Sequence, residues 1–205
     1  LLFATSKGLS AWDGQGFVKS KLVETMSGRY VWPIYRDPKG PLWFGDWHSG
    51  GLWRYDGKEV TPVPGLTNIV QSLRRATNGT MWIGTQQGLF IFNGTNVVRH
   101  SINDTPVTQR SRRGAGGTVV SIDSLSKTWI YNIQEDSNGV MWFSTREGLF
   151  RYDGKECRQL SETDGFPRNV YPFYCDPKGF FWFGQWPGSD MVLTHFDGIS
   201  FVNYG

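Results

Sequence analysis

The residues of this 205-residue chain whose types and spacing could do chemistry fall at a few positions. Asp46-Trp47-His48 and Gln185-Trp186-Pro187 set a tryptophan between polar or turn-forming residues. Aromatic faces beside polar groups suit stacking on sugar rings or other flat ligands. Trp32, Gln71, Tyr131 and Tyr171 each stand eleven residues ahead of a further tryptophan: Trp43, Trp82, Trp142 or Trp182. Arg29, Arg146 and Arg168 add donors that fit hydroxyls or a carboxylate. The candidate ligand-binding set is Trp47, His48, Arg146, Glu147, Trp186, Trp32, Tyr131 and Tyr171. A plainer reading competes with it: each loop Trp covers its own loop, and the four equivalent slots pack around a channel.

Enzyme chemistry needs a convergent set. Hydrolysis of a glycoside uses two carboxylates, and Asp46, Glu147 and Asp190 are the loop acids in matching positions, each on a different repeat. A lyase would need a histidine with an acid, and His48 with Glu147 is the candidate pairing. The sequence has no nucleophile elbow and no phosphate loop. It also has no CxxC pair and no His-rich cluster, so no catalytic residue, metal site or cofactor is expected.

A repeat must position these residues. Val140-Met-Trp-Phe-Ser-Thr-Arg-Glu-Gly-Leu-Phe-Arg-Tyr-Asp-Gly154 recurs around Trp43, Trp82 and, more loosely, Trp182, with a degenerate copy from Leu2 to Gly14. The repeat tryptophans are separated by 39, 60 and 40 residues. Periods near 40 with strand-rich units mark propeller blades, each a four-stranded antiparallel sheet. The predicted fold is all-β: a β-propeller segment of about five blades, the first lacking one strand. Approximate blades are 1–22, 29–62, 68–99, 129–160 and 169–205, with an insertion at 100–128.

Turn chemistry orders the strands. Asp37-Pro-Lys-Gly40, Asp136-Ser-Asn-Gly139 and Asp176-Pro-Lys-Gly179 end a first strand; the second full repeat has Ala76-Thr-Asn-Gly79 instead. Asp bonds the backbone two residues on, and Gly supplies a positive φ. The Trp-bearing second strand is apolar enough for burial on both faces. The third ends in Asp56-Gly57, Asn93-Gly94 or Asp153-Gly154, pairs typical of two-residue hairpins. These turns share one face of the disc. Loops between strands two and three share the other, as does the insertion, and they vary in length. Variable loops on a rigid scaffold are where binding usually sits. The insertion holds Arg110-Ser-Arg-Arg-Gly-Ala-Gly-Gly117, read as a solvated loop or, more sharply, an anion-binding flap.

Composition narrows the partners. Ten Trp and fourteen Phe give ample core, and no apolar run approaches the roughly 18 residues of a membrane span. The net charge of +3 is spread over the repeats rather than gathered in a stripe, which excludes a nucleic-acid reader. Cys157 and Cys175 are too few for a disulfide framework. The opening residues read as the middle of a repeat, so the chain is expected to be part of a longer one.

The string Asp-x-x-Gly-x-Met/Leu-Trp-Phe/Ile-Gly-Thr-x-x-Gly-Leu-Phe-x-Tyr-Asp-Gly resembles the two-component regulator propeller repeat, best over Ile130–Gly154 and Ile69–Gly94. Such repeats occur in periplasmic sensor regions of bacterial hybrid histidine kinases and related diguanylate cyclases and regulators. The resemblance implies membership of a seven-bladed ring, with a closed five-bladed ring as second choice. It implies a periplasmic or extracellular, non-enzymatic sensing or interaction module. Its partner would be a small-molecule or carbohydrate ligand or a protein, with a membrane-anchored and possibly dimeric parent and no membrane contact by this segment. The alternative is a propeller enzyme acting on glycans, a hydrolase or lyase.

Overall fold

The computed structural model describes residues 1–100, 117–160, 164, 170–176, 178–185, 193–196 and 200–204. Its strands are β1 (Leu2–Thr5), β2 (Gly8–Trp12), β3 (Phe17–Val18), β4 (Val31–Arg36), β5 (Leu42–Asp46), β6 (Leu52–Tyr55) and β7 (Val60–Val63). They continue as β8 (Val70–Arg75), β9 (Met81–Thr85), β10 (Gly88–Phe92), β11 (Val97–Arg99), β12 (Thr118–Val120), β13 (Ile130–Glu135) and β14 (Met141–Thr145). The last six are β15 (Gly148–Tyr152), β16 (Cys157–Leu160), β17 (Val170–Cys175), β18 (Phe181–Gln185), β19 (Leu193–Phe196) and β20 (Phe201–Tyr204). They form five antiparallel sheets in chain order, β1–β3, β4–β7, β8–β11, β13–β16 and β17–β20. The innermost strands β4, β8, β13 and β17 pack in succession, and β1 packs on β4. This is the expected propeller array, with a three-stranded first blade.

Two features were not foreseen. Helix α1 (Lys21–Thr25), capped by the Ser20 hydroxyl, leads into blade two and buries Leu22. In the insertion, β12 pairs with β16 as a fifth strand of blade four, Val119 opposite Arg158. That strand covers an outer edge, which otherwise exposes unpaired backbone groups. The Arg110–Gly116 stretch lies outside the described residues.

The middle blades carry the second strand as expected, buried along its whole length: β5, β9 and β14. Alternation along it assigns each face to one seam. Trp43 and Leu52 pack with Val70, Met81 and Ile83 of the next blade. Trp82 and Leu89 likewise meet Ile130 and Phe143, and Trp142 and Leu149 meet Phe181 and Phe183. Trp43, Trp82 and Trp142 therefore face forward along the chain, while the Phe or Ile after each repeat Trp faces back. At the array's ends the matching half-seams are open. Phe3, in the slot of the fully buried Phe44 and Phe143, is 45% exposed, and Leu193, in the slot of Leu52 and Leu149, is 44% exposed.

The Asp-x-x-Gly turn does more than turn. Asp37 takes the Lys39 N–H on Oδ1 (2.9 Å) and the Trp43 indole N–H on Oδ2 (3.2 Å). Asp136 repeats this with Asn138 and Trp142, and Asp176 with Lys178 and Trp182. One carboxylate thus closes the turn and fixes the orientation of the core Trp. The slot in front of this Asp reaches back across the seam. Arg75 donates to Asp37 of the blade before (3.1 Å from Nε to Oδ2). Blade three has Ala76 in place of the Asp, and there the next blade supplies Glu135, which accepts the Thr77 N–H (2.8 Å) and hydroxyl (2.6 Å). Nothing replaces the bond to Trp82, whose indole N–H is buried and unpartnered.

The Asp-Gly pairs close four-residue loops rather than two-residue hairpins. Tyr55 pairs with Val60, Phe92 with Val97 and Tyr152 with Cys157. In the first of these loops, Asp56 Oδ1 accepts the N–H groups of Lys58 and Glu59, and Gly57 takes φ +105°. Capping by the Asp side chain, not a pair of positive φ values, makes the turn.

Candidate ligand-binding face

The loops between second and third strands share one threonine device. Thr5, Thr85 and Thr145 donate their hydroxyls to the carbonyls of Gly8, Gly88 and Gly148 (2.8–2.9 Å). Each also accepts the N–H two residues on, from Lys7, Gln87 or Glu147. This leaves two loop residues at the tip, and Arg146 and Glu147 stand there exposed.

Blade two departs from the pattern for a structural reason. Asp46 occupies the Thr slot, fully buried. Its Oδ1 accepts the N–H groups of His48 and Ser49 (3.0 Å each), and its Oδ2 takes Arg29 Nη1 at 3.0 Å. A carboxylate can cap a longer loop than a hydroxyl, because it takes two N–H groups and a cation at once. Arg29 in turn lies over the Trp53 ring, 4.1 Å from its centroid. Trp47 donates its backbone N–H to Tyr30 (2.7 Å), and the two rings stand 6.1 Å apart. Trp47 is half-buried against Tyr30, and His48 is exposed. Among the described residues no bond joins His48 to Glu147.

The inner strands bring a second group to the same face. The pairing of β4 with β5 slips between Val31 and Ile34, that of β8 with β9 between Val70 and Ser72, and that of β13 with β14 between Ile130 and Asn132. Trp32, Gln71 and Tyr131 sit in those bulges. Bulges re-aim side chains and recur beside binding sites. In β17 the slip falls one residue later, after Tyr171, which pairs through its backbone with Gly184. Trp32 is 52% exposed, and Tyr131 is half-buried with its ring 6.1 Å from Trp129. The Arg146 N–H bonds the Trp129 carbonyl, so the blade-four loop tip is tied to this aromatic pair. Gln71 is buried at 6% exposure, and its Nε2 has no partner.

The structure thus groups Trp47 and His48 with Arg29 and Tyr30, and Arg146 and Glu147 with Trp129 and Tyr131; Trp32 stands in the bulge of the blade-two inner strand. Trp186, Arg168 and Asp190 lie outside the described residues. Tyr30 and Trp129 were missed in the sequence, although each immediately precedes its inner strand. Among the described residues no cluster of His, Cys, Asp or Glu is arranged to hold a metal. Both cysteines are free thiols. Burial pushes Cys157 up to about 12, which removes it as a nucleophile at neutral pH.

Residues 124–147 match the family model described as Two component regulator propeller. That window runs from the lead-in of blade four to the tip of the loop between its second and third strands, part of one repeat of the chain. Among solved structures it is similar to the extracellular domain of a protein described as a hybrid two component system, BT3049 from B. thetaiotaomicron. Identity is 20% and the TM-score 0.72, over 99% of this chain and 27% of that one. It is also similar to a streptogramin B lyase (14% identity, TM-score 0.62, 97% of this chain and 62% of that one). A catalytically inactive virginiamycin B lyase from Staphylococcus aureus, with quinupristin, is comparable (11%, TM-score 0.61, 97% and 63%). The chain therefore spans about a quarter of the two component system chain and less than two thirds of the lyases. These likenesses establish the propeller fold. No curated protein matches the sequence. Among the described residues no helix is long and apolar enough to cross a membrane.

Proposed function

We propose that this chain is a non-enzymatic ligand-sensing or interaction propeller of a bacterial signalling protein, acting outside the cytoplasm. The observation that carries the reading is the bulged aromatic slot at the mouth of the inner strands, with Trp32 half exposed and Tyr131 beside Trp129. The two component regulator propeller match and the likeness to an extracellular domain of that system support the signalling context. Trp47, His48, Arg146 and Glu147 form the rim of the same face, and Trp186 and Tyr171 are its proposed completion in blade five. The open half-seams at Phe3 and Leu193 support a larger ring, of which these blades are an arc. A ligand would act by favouring one arrangement of the parent protein.

The glycan-enzyme alternative is weaker. Of its three loop acids, Asp46 is committed to Arg29 and to the N–H groups of its own loop, and among the described residues no bond joins His48 to Glu147, the pairing a lyase would use. The ligand reading is tested by titrating the purified chain with neutral hexasaccharides and following intrinsic Trp fluorescence. Trp32→Ala is expected to weaken binding at least roughly tenfold, the loss of one stacking face. Unchanged binding by Trp32→Ala would remove the slot from the site.

A further inference from the structure

Buried polar atoms in this fold are satisfied with some consistency. The threonines of three loops, the turn aspartates and Glu135 all have partners. Seven buried side-chain atoms among the described residues have none: Arg74 Nε, Trp82 Nε1, His100 Nε2, Ser144 Oγ and a group of three. Gln71 Nε2, Ser72 Oγ and Thr128 Oγ1 are buried and unpartnered, on β8 and at the entrance to β13. Ser72 lies at the seam itself: a Cβ built on Gly84 would meet Ser72 Oγ at 2.4 Å and Ile130 Cγ2 at 2.7 Å. Thr128 precedes Ile130 by two residues. These three therefore sit at the binding-face end of the seam between blades three and four. Along the inner strands this is the position between Trp32 of blade two and Tyr131 of blade four. An unpaired buried donor is costly, and in a native structure it calls for an explanation, of which a partner supplied by a bound molecule is one.

We infer that the Gln71 amide is the ligand-reading group of the channel mouth, donating to an uncharged oxygen of a ring-bearing ligand held by Trp32 and Tyr131. This rests on the ligand-binding reading above and deepens it to a class of ligand. The amide carries no charge, so it gives no preference for an anion. Arg29, on the same face, is neutralised by Asp46. Donor, acceptor hydroxyls and aromatic walls together fit a neutral oligosaccharide, whose ring oxygens and hydroxyls offer acceptors and whose C–H faces stack on indole. Ser72 and Thr128, each able to donate or accept, extend the same polar strip.

The test uses the full chain with maltohexaose, cellohexaose and xylohexaose as probes, read by calorimetry, beside thermal melts without ligand. Gln71→Leu is expected to bind the preferred hexasaccharide at least roughly tenfold more weakly, the worth of one hydrogen bond. Its ligand-free Tm should hold or rise by about 2–4 °C, because an unpaired amide is removed from the interior. Gln71→Glu should bind as weakly as Gln71→Leu, since it keeps the shape and loses the donor. A fall in the ligand-free Tm of Gln71→Leu would show that the amide serves the fold, and would overturn the assignment. Wild-type affinity in Gln71→Leu together with loss in Trp32→Ala would overturn the Gln71 role and leave the aromatic site standing. Binding of no probe by the wild-type chain would overturn both.

Discussion

Replacing Asp37 by Ala should be among the most damaging single changes in the chain, and its cost can be built from its contacts. The carboxylate is 1% exposed and holds three partners: the Trp43 indole, the Lys39 N–H, and the Arg75 guanidinium from the next blade. Loss of the first leaves a buried indole N–H unpaired, about 1–3 kcal/mol. Loss of the third leaves an arginine whose side chain is 14% exposed without its counter-charge. Breaking a buried pair costs about 3–5 kcal/mol. Arg75 keeps its bond to the Gly79 carbonyl (2.8 Å) and some access to water, which lowers that figure. A total of about 4 kcal/mol follows, a large part of the roughly 5–15 kcal/mol of a typical domain. Asp136→Ala is the control, because its carboxylate bonds Trp142 and turn N–H groups but no arginine; it should cost about 2 kcal/mol. Urea titrations at pH 7 measure both. The reasoning fails if the two variants cost the same, or if a double-mutant cycle with Arg75→Ala gives a coupling below about 1 kcal/mol. The sign with pH is fixed too. Burial alone pushes the Asp37 carboxyl up, but the Arg75 and Lys39 hydrogen bonds and the Arg75 charge outweigh it and hold it below the ordinary 3.8. Its contribution is therefore full above that value and is lost as pH falls through the lowered native one.

Two further outcomes are expected. Burial pushes His100 below its ordinary 6.5, partly opposed by Asp123, and its ring stands edge-on to Trp82 at 4.7 Å with Nε2 unpartnered. Above 6.5 both folded and unfolded chains carry it neutral; as pH falls below 6.5 the unfolded chain takes the proton first and stability drops. His100→Phe should flatten the fall in Tm between pH 6.5 and 5, and an unchanged slope would contradict the buried-neutral assignment. A Cβ on Gly45 would lie 2.4 Å from the Trp32 carbonyl, 2.8 Å from Pro33 Cδ and 2.9 Å from Val70 Cβ. Gly45→Ala should cost roughly 2–4 kcal/mol by forcing a seam apart, whereas Ser144→Gly in the same slot should cost under about 1 kcal/mol, since it removes a buried, unpartnered hydroxyl; equilibrium denaturation of the pair checks this contrast.

The scaffold was legible because its signals are local. The Asp-x-x-Gly turns, the Trp spacing and the continuous apolar second strand each report on a few neighbouring residues, and all of them recur. What escaped depends on partners distant in sequence. Strand β12 is three residues in a polar insertion, and only its pairing with β16, some 40 residues later, makes it a strand. The loop-length error at Asp56-Gly57 came from reading a dipeptide signal where an aspartate side chain sets the turn. Asp46 looked like a chemical departure because a carboxylate replaced a threonine; burial shows the same capping role enlarged for a longer loop. Gln71 was visible as a slot, but its unpaired amide appears only once its surroundings are known.

The same distance dependence explains why departures from the repeat come in pairs. Where the turn Asp is present in blade two, the following blade presents Arg75; where it is replaced by Ala76 in blade three, the following blade presents Glu135. The partner slot thus differs with the group it faces: Arg75 meets the Asp37 carboxylate, Glu135 meets the N–H and hydroxyl donors of the bare turn, and the Asp136 turn of blade four has Cys175 in that slot and no guanidinium. Trp82 shows the limit of the exchange: Glu135 recovers the turn but not the indole bond. Restoring the acid by Ala76→Asp would therefore set two carboxylates at one turn, with Glu135 already buried there, and like charges so placed oppose each other. The meaningful unit for substitution in this propeller is the seam between two blades, not the repeat that the sequence displays.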